Sequence, residues 1–278
     1  MSRLPPPPPG PPWDLPLAEA PLAFVDLEMT GLDAEKDRVV EVCVERVVGG
    51  EIVARVETLV NPGERAGGAS KIHGLDAAAL EGAPVFPAVA DDVIRALDGA
   101  VLVAHAAEWD VKFLLAELGR AGKSVQIAHW LDTLNLSRRA FAFPSHALVA
   151  LCESLGIARE RAHRASDDVA AMRAVFDRCV TALAPTSVRD LWEVKVAQRT
   201  ARAHIVEACV AAAEHAAPVL LTYRASRRGP QTLTLIVTEV RTDADPPHVI
   251  GYEVPGRGRR ELRADRILRV DPAPVTAP

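Results

Sequence analysis

The sequence is short of several things, and each shortage excludes something. Lysine is scarce, with 5 among 32 basic residues, and alanine is abundant; this reads as a bias of genome composition without functional weight. The 4 cysteines, Cys43, Cys152, Cys179 and Cys209, form no CxxC pair and have no histidine at zinc-ligand spacing. That excludes a zinc ribbon or disulfide framework and predicts buried thiols in a reducing compartment. No apolar run approaches the ~20 residues of a membrane-spanning helix. The opening MSRLPPPPPGPPW carries proline where a secretory signal needs an apolar helical segment. The expectation is a cytoplasmic protein with no membrane partner. No internal repeat and no helix-turn-helix is recognisable, which places transcription regulation last among the readings.

Positive charge is also missing from the total. The net charge of −5 at first disfavours nucleic acid as a partner. The distribution is uneven, however: residues 219–278 hold ten arginines against seven acids, a balance of +3 that leaves −8 on residues 1–218. A chain of 278 residues, 49% hydrophobic, fits one large or two smaller globular domains.

Residues 1–20 are dominated by proline and read as a disordered or polyproline II arm outside any core. From Pro21 the pattern becomes structured. LAFVDLEMTGL reads as a strand running into a turn, and VVEVCVERVVGGEIVARVETLV as two strands joined at Gly49-Gly50. Helical periodicity covers 87–98, then a short apolar strand at 101–105 leads into a helix at 109–121. Further helices are expected in LDTLNLSRRAF, in HALVALCESLGI and at 166–184, with Ser166 as N-cap of the last. Strands in a meander followed by alternating strands and helices indicate an α/β domain with a mixed sheet. A largely helical stretch at 187–216 precedes short β-like runs separated by Gly, Pro and Asp, which predict a small β-rich domain.

The informative residues are acids where acids are costly. Asp26 and Glu28 follow the apolar run Leu22–Val25, and residues two apart in a strand face one side. Two carboxylates there repel each other unless a hard divalent cation such as magnesium or manganese compensates them. A solvent-exposed strand end explains this pair equally well when it is taken alone. Asp110 stands where the strand VLVAH hands over to a helix, a place where an acid also serves as first-turn charge. In HRASDD, His163 lies just before the last helix and Asp168 in its first turn, so both could face one site.

Together these elements resemble the DEDDh 3′–5′ exonucleases, the family of the proofreading subunit of bacterial replicative polymerases. FVDLEMTGL matches the first motif, LVAHAAEWDVKFL the second and HRASDD the third, with Asn61-Pro62, IHGL at 72–75 and LDTLNLSR at 131–138 in order between them. The resemblance implies a ribonuclease H-like mixed sheet flanked by helices over residues 21–185. It implies Asp26, Glu28, Asp110 and Asp168 as ligands of two Mg²⁺ ions, with Mn²⁺ as a substitute, and His163 as general base. Met29, Thr30 and Leu32 would cradle the terminal nucleotide, with further substrate contacts expected from His73, Arg164, Tyr223, Arg260 and Arg263. The implied reaction releases nucleoside 5′-monophosphates from single-stranded 3′ ends, DNA favoured over RNA. One departure stands out: Ala106 occupies the place where the family has asparagine, four residues before Asp110.

Residues 186–200 read as a helical linker, and 201–278 resemble a degenerate WYL domain, an Sm-like small β-barrel. PVLLTYRA, HVIGYEV and RELRADRIL carry that resemblance, which implies binding of nucleic acid or of a nucleotide ligand. Arginine forks suit phosphate oxygens and tyrosine faces suit bases. The competing reading of the whole chain is a catalytically weak, nucleic-acid-binding sensor regulated through this domain.

Overall fold

The computed structural model describes residues 5–63, 73–141, 143–159, 164–224, 230–243 and 246–273. The chain divides into two units, residues 1–141 with 146–194, and residues 195–278 with 142–145.

The first unit opens with an antiparallel meander of β1 (Leu22–Met29), β2 (Val39–Val48) and β3 (Glu51–Leu59). Gly49 and Gly50 make the β2–β3 turn at positive φ, which glycine adopts without steric cost. After α1 (Ala77–Leu80) and α2 (Phe86–Leu97) come β4 (Val101–Ala104), α3 (Glu108–Arg120) and β5 (Leu131–Asp132). Helices α4 (Thr133–Ala140), α5 (Leu148–Leu155) and α6 (Ala165–Leu183) complete the unit. The sheet order is β3-β2-β1-β4-β5, with β4 and β5 parallel to β1. This is the ribonuclease H-like α/β arrangement, a mixed sheet flanked by helices. Strand β4 is buried on both faces, which is why VLVA reads as unbroken apolar sequence.

Helix α6 packs on β1 and β2, and its Phe176 meets Phe24 edge-to-face at 5.3 Å. Phe24, Asp26 and Glu28 alternate with Val25 and Leu27, so the face of β1 that meets α6 is the one carrying both carboxylates.

The proline-rich arm departs from the expectation of a free tail. Trp13 is 5% exposed and packs between His129 and Trp192. Arg189 pairs with Asp14 and donates to the carbonyls of Pro7 at 3.0 Å and Pro8 at 2.7 Å. His129 Nε2 also reaches the Pro5 carbonyl at 2.9 Å, the Leu17 N–H donates to the Thr186 carbonyl at 3.3 Å and the Arg189 N–H to the Trp13 carbonyl at 2.8 Å, so ring, guanidinium and backbone contacts together dock the arm.

The expected linker at 186–200 is instead the front of a single helix, α7 (Val188–Glu214), whose Val188, Leu191 and Trp192 are buried. The second unit is a five-stranded antiparallel sheet of β6 (Pro218–Arg224), β7 (Pro230–Arg241), β8 (His248–Val254), β9 (Arg259–Arg263) and β10 (Ile267–Pro272). Its order is β10-β6-β7-β8-β9, and Cys209, Leu221, Leu235, Val237, Val249 and Leu262 form its core. All four cysteines are buried and free, as expected from their scatter. Among the described residues, no helix is long and apolar enough to cross a membrane.

Candidate metal centre

Asp26, Glu28 and Asp168 each offer a carboxylate oxygen, and these oxygens lie within 4.8 Å of one another. Strand β1 supplies the first two and the opening turn of α6 the third. Asp110 comes from the first turn of α3, outside that set. Its carboxylate accepts backbone hydrogen bonds from its own N–H and from Leu27. Strand β4 pairs with β1 only as far as Phe24, so the backbone beyond is free to take Asp110 as its partner. The sheet register also shifts between Glu28 and Met29, a bulge that separates the carboxylates from the residues after them.

Crowding raises the affinity of these acids for protons. Burial pushes Asp26 well above its ordinary value, and the charges of Asp110, Asp168, Glu28 and Glu41 push it further. Glu28 rises from 4.5 to about 7 through burial and then the charges of Asp168 and Glu41, with Arg159 and Arg164 opposing. Asp110 rises from 3.8 to about 8, chiefly through burial. Hard oxygen donors that repel one another in a poorly hydrated site fit a divalent cation such as Mg²⁺ or Mn²⁺. Asp26, Glu28, Asp110 and Asp168 are the residues that would hold it.

Two arginines of α6 and its cap tie the helix to β2. Glu41, 1% exposed and directly opposite Glu28 in the ladder, accepts from Nη2 of Arg164 at 2.8 Å. It also accepts from the backbone N–H of Ala165 at 3.1 Å. Four residues along the same face of the strand, Glu45 takes Arg173 at 2.8 Å. Ser166 was the expected cap of α6, yet the helix begins at Ala165 and no side chain of its own caps it. The capping acceptor comes from Glu41 on another strand, because α6 lies directly over it. Arg164, expected as a substrate contact, is paired here with Glu41. Glu41→Ala removes the cap and the partner of a half-buried guanidinium, and we expect a loss of about 2 kcal/mol. Urea unfolding measures it; an unchanged midpoint would sink the assignment.

The loop after β1 is organised by Asp37. Its Oδ1 accepts from Thr30 Oγ1 at 3.2 Å and its Oδ2 from the Asp33 N–H at 2.8 Å. Thr30 in turn accepts from the Arg38 N–H at 3.0 Å and is buried. A Cβ on Gly31 would stand 2.4 Å from the Asp37 carboxylate, so any larger residue there would have to displace the side chain that organises the loop. Met29 is half-buried at the strand end, and Leu32, three residues on, is 71% exposed.

Ala106 lies at φ 60°, in the left-handed region where Cβ is penalised and asparagine is tolerated. Its N–H donates to Asp132 Oδ1 at 3.0 Å, which holds the backbone in this shape. The turn into α3 therefore keeps the conformation suited to asparagine although the residue is alanine. Ala106→Asn is expected to stabilise by about 0.5–1 kcal/mol, raising the melting temperature by roughly 1–4 °C. A lower melting temperature would contradict this reading of the turn.

Among the other residues expected at the site, His163 lies outside the described residues. His73 is buried, and its Nδ1 accepts from the Leu75 N–H at 3.1 Å. In the second unit Tyr223 is half-buried on β6, packed against the core. Arg260 and Arg263 lie on β9, three strands from β6 in the sheet order. Arg260 also donates to Glu253 at 2.8 Å. Three residues went unsuspected in the sequence: Glu41, Asp37 and Arg159. The signal for Glu41 was available, since Glu41 and Glu45 break an otherwise apolar strand on one face.

A ribonuclease H-like sheet with acids gathered at the end of its first strand is the frame of metal-dependent nucleases. Residues 23–176 match the family described as Exonuclease (RNase T), and the chain belongs to that family. It is 35% identical over 156 residues to DNA polymerase III subunit epsilon of Treponema pallidum, covering 54% of this chain and 72% of that one. It is 30% identical over 187 residues to the PolC-type DNA polymerase III of Thermotoga maritima, covering 66% of this chain but only 13% of the relative. Among solved structures, E. coli exonuclease I in complex with a dA16 oligonucleotide matches with a TM-score of 0.53 at 16% identity. That match covers 84% of this chain and 55% of the other, and shows likeness of fold.

Proposed function

We propose that this chain is a 3′–5′ exonuclease that removes nucleoside 5′-monophosphates from single-stranded ends in the cytoplasm, DNA in preference to RNA, using two Mg²⁺ ions or Mn²⁺. The observation that carries the reading is the convergence of Asp26, Glu28 and Asp168 within 4.8 Å, with Asp110 beside them. Membership of the exonuclease family and the epsilon-subunit relative support the same chemistry.

Asp26, Glu28, Asp110 and Asp168 hold the cations at the end of β1. Bound there, divalent ions would lower the pKa of water and neutralise charge on the scissile phosphate and leaving oxygen. His163 accepts the proton of the attacking water, a role suited to imidazole near neutral pH. The backbone at Met29-Thr30 and the exposed Leu32 receive the terminal nucleotide, and the Asp37-centred loop fixes their geometry before substrate arrives. The second unit, with its WYL-like sequence, binds nucleic acid or a nucleotide ligand.

Strands labelled at the 3′ or the 5′ end decide the direction. The expected result is immediate release of a 3′ label as mononucleotide, with a shortening ladder from the 5′ label. Release from the 5′ end first, or oligonucleotide products, would refute the direction.

A further inference from the structure

One cation sits among the acids without a part in the chemistry above. Arg159 follows α5, and its Nε donates to Oδ1 of Asp168 at 2.6 Å while Nη2 donates to Oδ2 at 2.7 Å. The pair is closed off from water, with side chains 11% and 7% exposed. Arg164 and Arg173, on the same side of the sheet, are paired instead with Glu41 and Glu45, which are not among the four ligand carboxylates. Arg159 alone of these three is fixed on a proposed ligand.

We infer that Arg159 is an internal competitor of the metal: its guanidinium occupies the Asp168 arm of the centre until a divalent cation displaces it, and so it sets the metal concentration at which the centre fills. Hydrogen bonding by itself does not exclude a metal, because each carboxylate oxygen keeps a second lone pair. Charge does. A guanidinium and a dication on one carboxylate would stand a few ångströms apart in a poorly hydrated site, where like charges repel strongly. One must leave for the other to bind. The two-pronged contact is the strongest geometry a carboxylate can make with a side-chain cation. Arg159 and Asp168 stand nine positions apart in the chain, so the competitor is always at hand. The charge of Arg159 also reaches Glu28, where it opposes the pull of the neighbouring acids.

This inference rests on the proposed metal centre, and a binding measurement separates the two. Mn²⁺ is titrated calorimetrically into the full chain at one fixed pH, as wild type, Arg159→Met and Arg159→Lys. The methionine variant keeps the apolar stem without charge and is expected to bind Mn²⁺ on the order of tenfold more tightly. Lysine keeps the charge but not the fork and is expected to fall between the two. It also serves as the test if the methionine variant does not fold. A folded variant binding no tighter than wild type overturns the inference while the metal centre stands. Absence of Mn²⁺ binding in wild type and variants alike overturns the metal centre, and this inference with it.

Discussion

Asp26→Ala is expected to lower mononucleotide release on the order of 10³-fold while leaving the protein folded. Asp26 is the acid most surrounded by the others: Asp110, Asp168, Glu28 and Glu41 all act on it. A residue in that position reaches any cation the cluster holds, so its loss removes both an oxygen ligand and the charge that gathers the ions. The alternative of a solvent-exposed strand end predicts no such dependence, because an exposed acid on a strand end contributes little to anything beyond solubility. The measurement is the rate on a 3′-labelled strand with Mg²⁺ or Mn²⁺, with circular dichroism as the check on folding. A rate within tenfold of wild type would remove Asp26 from the site.

The same crowding gives the second large effect, with the opposite sign, in metal-free protein. Asp26→Asn should raise the melting temperature of the metal-free chain at pH 8, because it removes a carboxylate that Asp110, Asp168, Glu28 and Glu41 all repel. Glu28 is raised from 4.5 to about 7 and Asp110 from 3.8 to about 8, so the folded protein holds these protons longer than the unfolded chain does. Their contribution to stability is complete below the unfolded values and is lost as pH rises through 7 to 8. Glu28 is partly open to water, so its share is screened. Replacing one carboxylate of the cluster by a neutral amide relieves the repulsion its neighbours feel as Glu28 and Asp110 ionise near pH 7 to 8, and the gain shrinks at lower pH, where those two hold their protons. Added Mn²⁺ should stabilise wild type more than the variant, since it supplies by binding what the substitution supplies by neutralisation. Melting curves across pH without metal test this; a variant less stable than wild type at pH 8 would contradict the crowding.

Much of the site was legible because it depends on short-range periodicity. Asp26 and Glu28 are two apart on a strand, and that spacing alone places them on one face. Asp110 and Asp168 each stand in the first turn of a helix, α3 and α6, where strand and turn signals point. The remainder depends on pairings across the chain. Glu41 meets Arg164 across 123 residues, and no local pattern reveals that a strand carboxylate caps a distant helix. Local reasoning therefore placed the cap at Ser166, one residue inside the observed start. Composition, with eight prolines in the first twenty residues, does not reveal that Trp13, Arg189, His129 and backbone bonds to Thr186 hold the arm. Charge totals leave a similar gap. In residues 219–278 Arg241, Arg260 and Arg269 pair with Glu239, Glu253 and Asp271 on their own or adjacent strands, while the excess of ten arginines over seven acids remains. A sum of charges carries no information on which charges already neutralise each other. The acids of the first unit show the converse, since their net negative charge there marks where cations belong.

The most direct test is a crystal of the full chain grown with Mn²⁺ and thymidine 5′-monophosphate, read at the manganese absorption edge. Two anomalous peaks held by Asp26, Glu28, Asp110 and Asp168, with the nucleotide phosphate between them and Arg159 withdrawn from Asp168, are the expected result. Manganese elsewhere on the chain, with these four carboxylates unliganded, would contradict it.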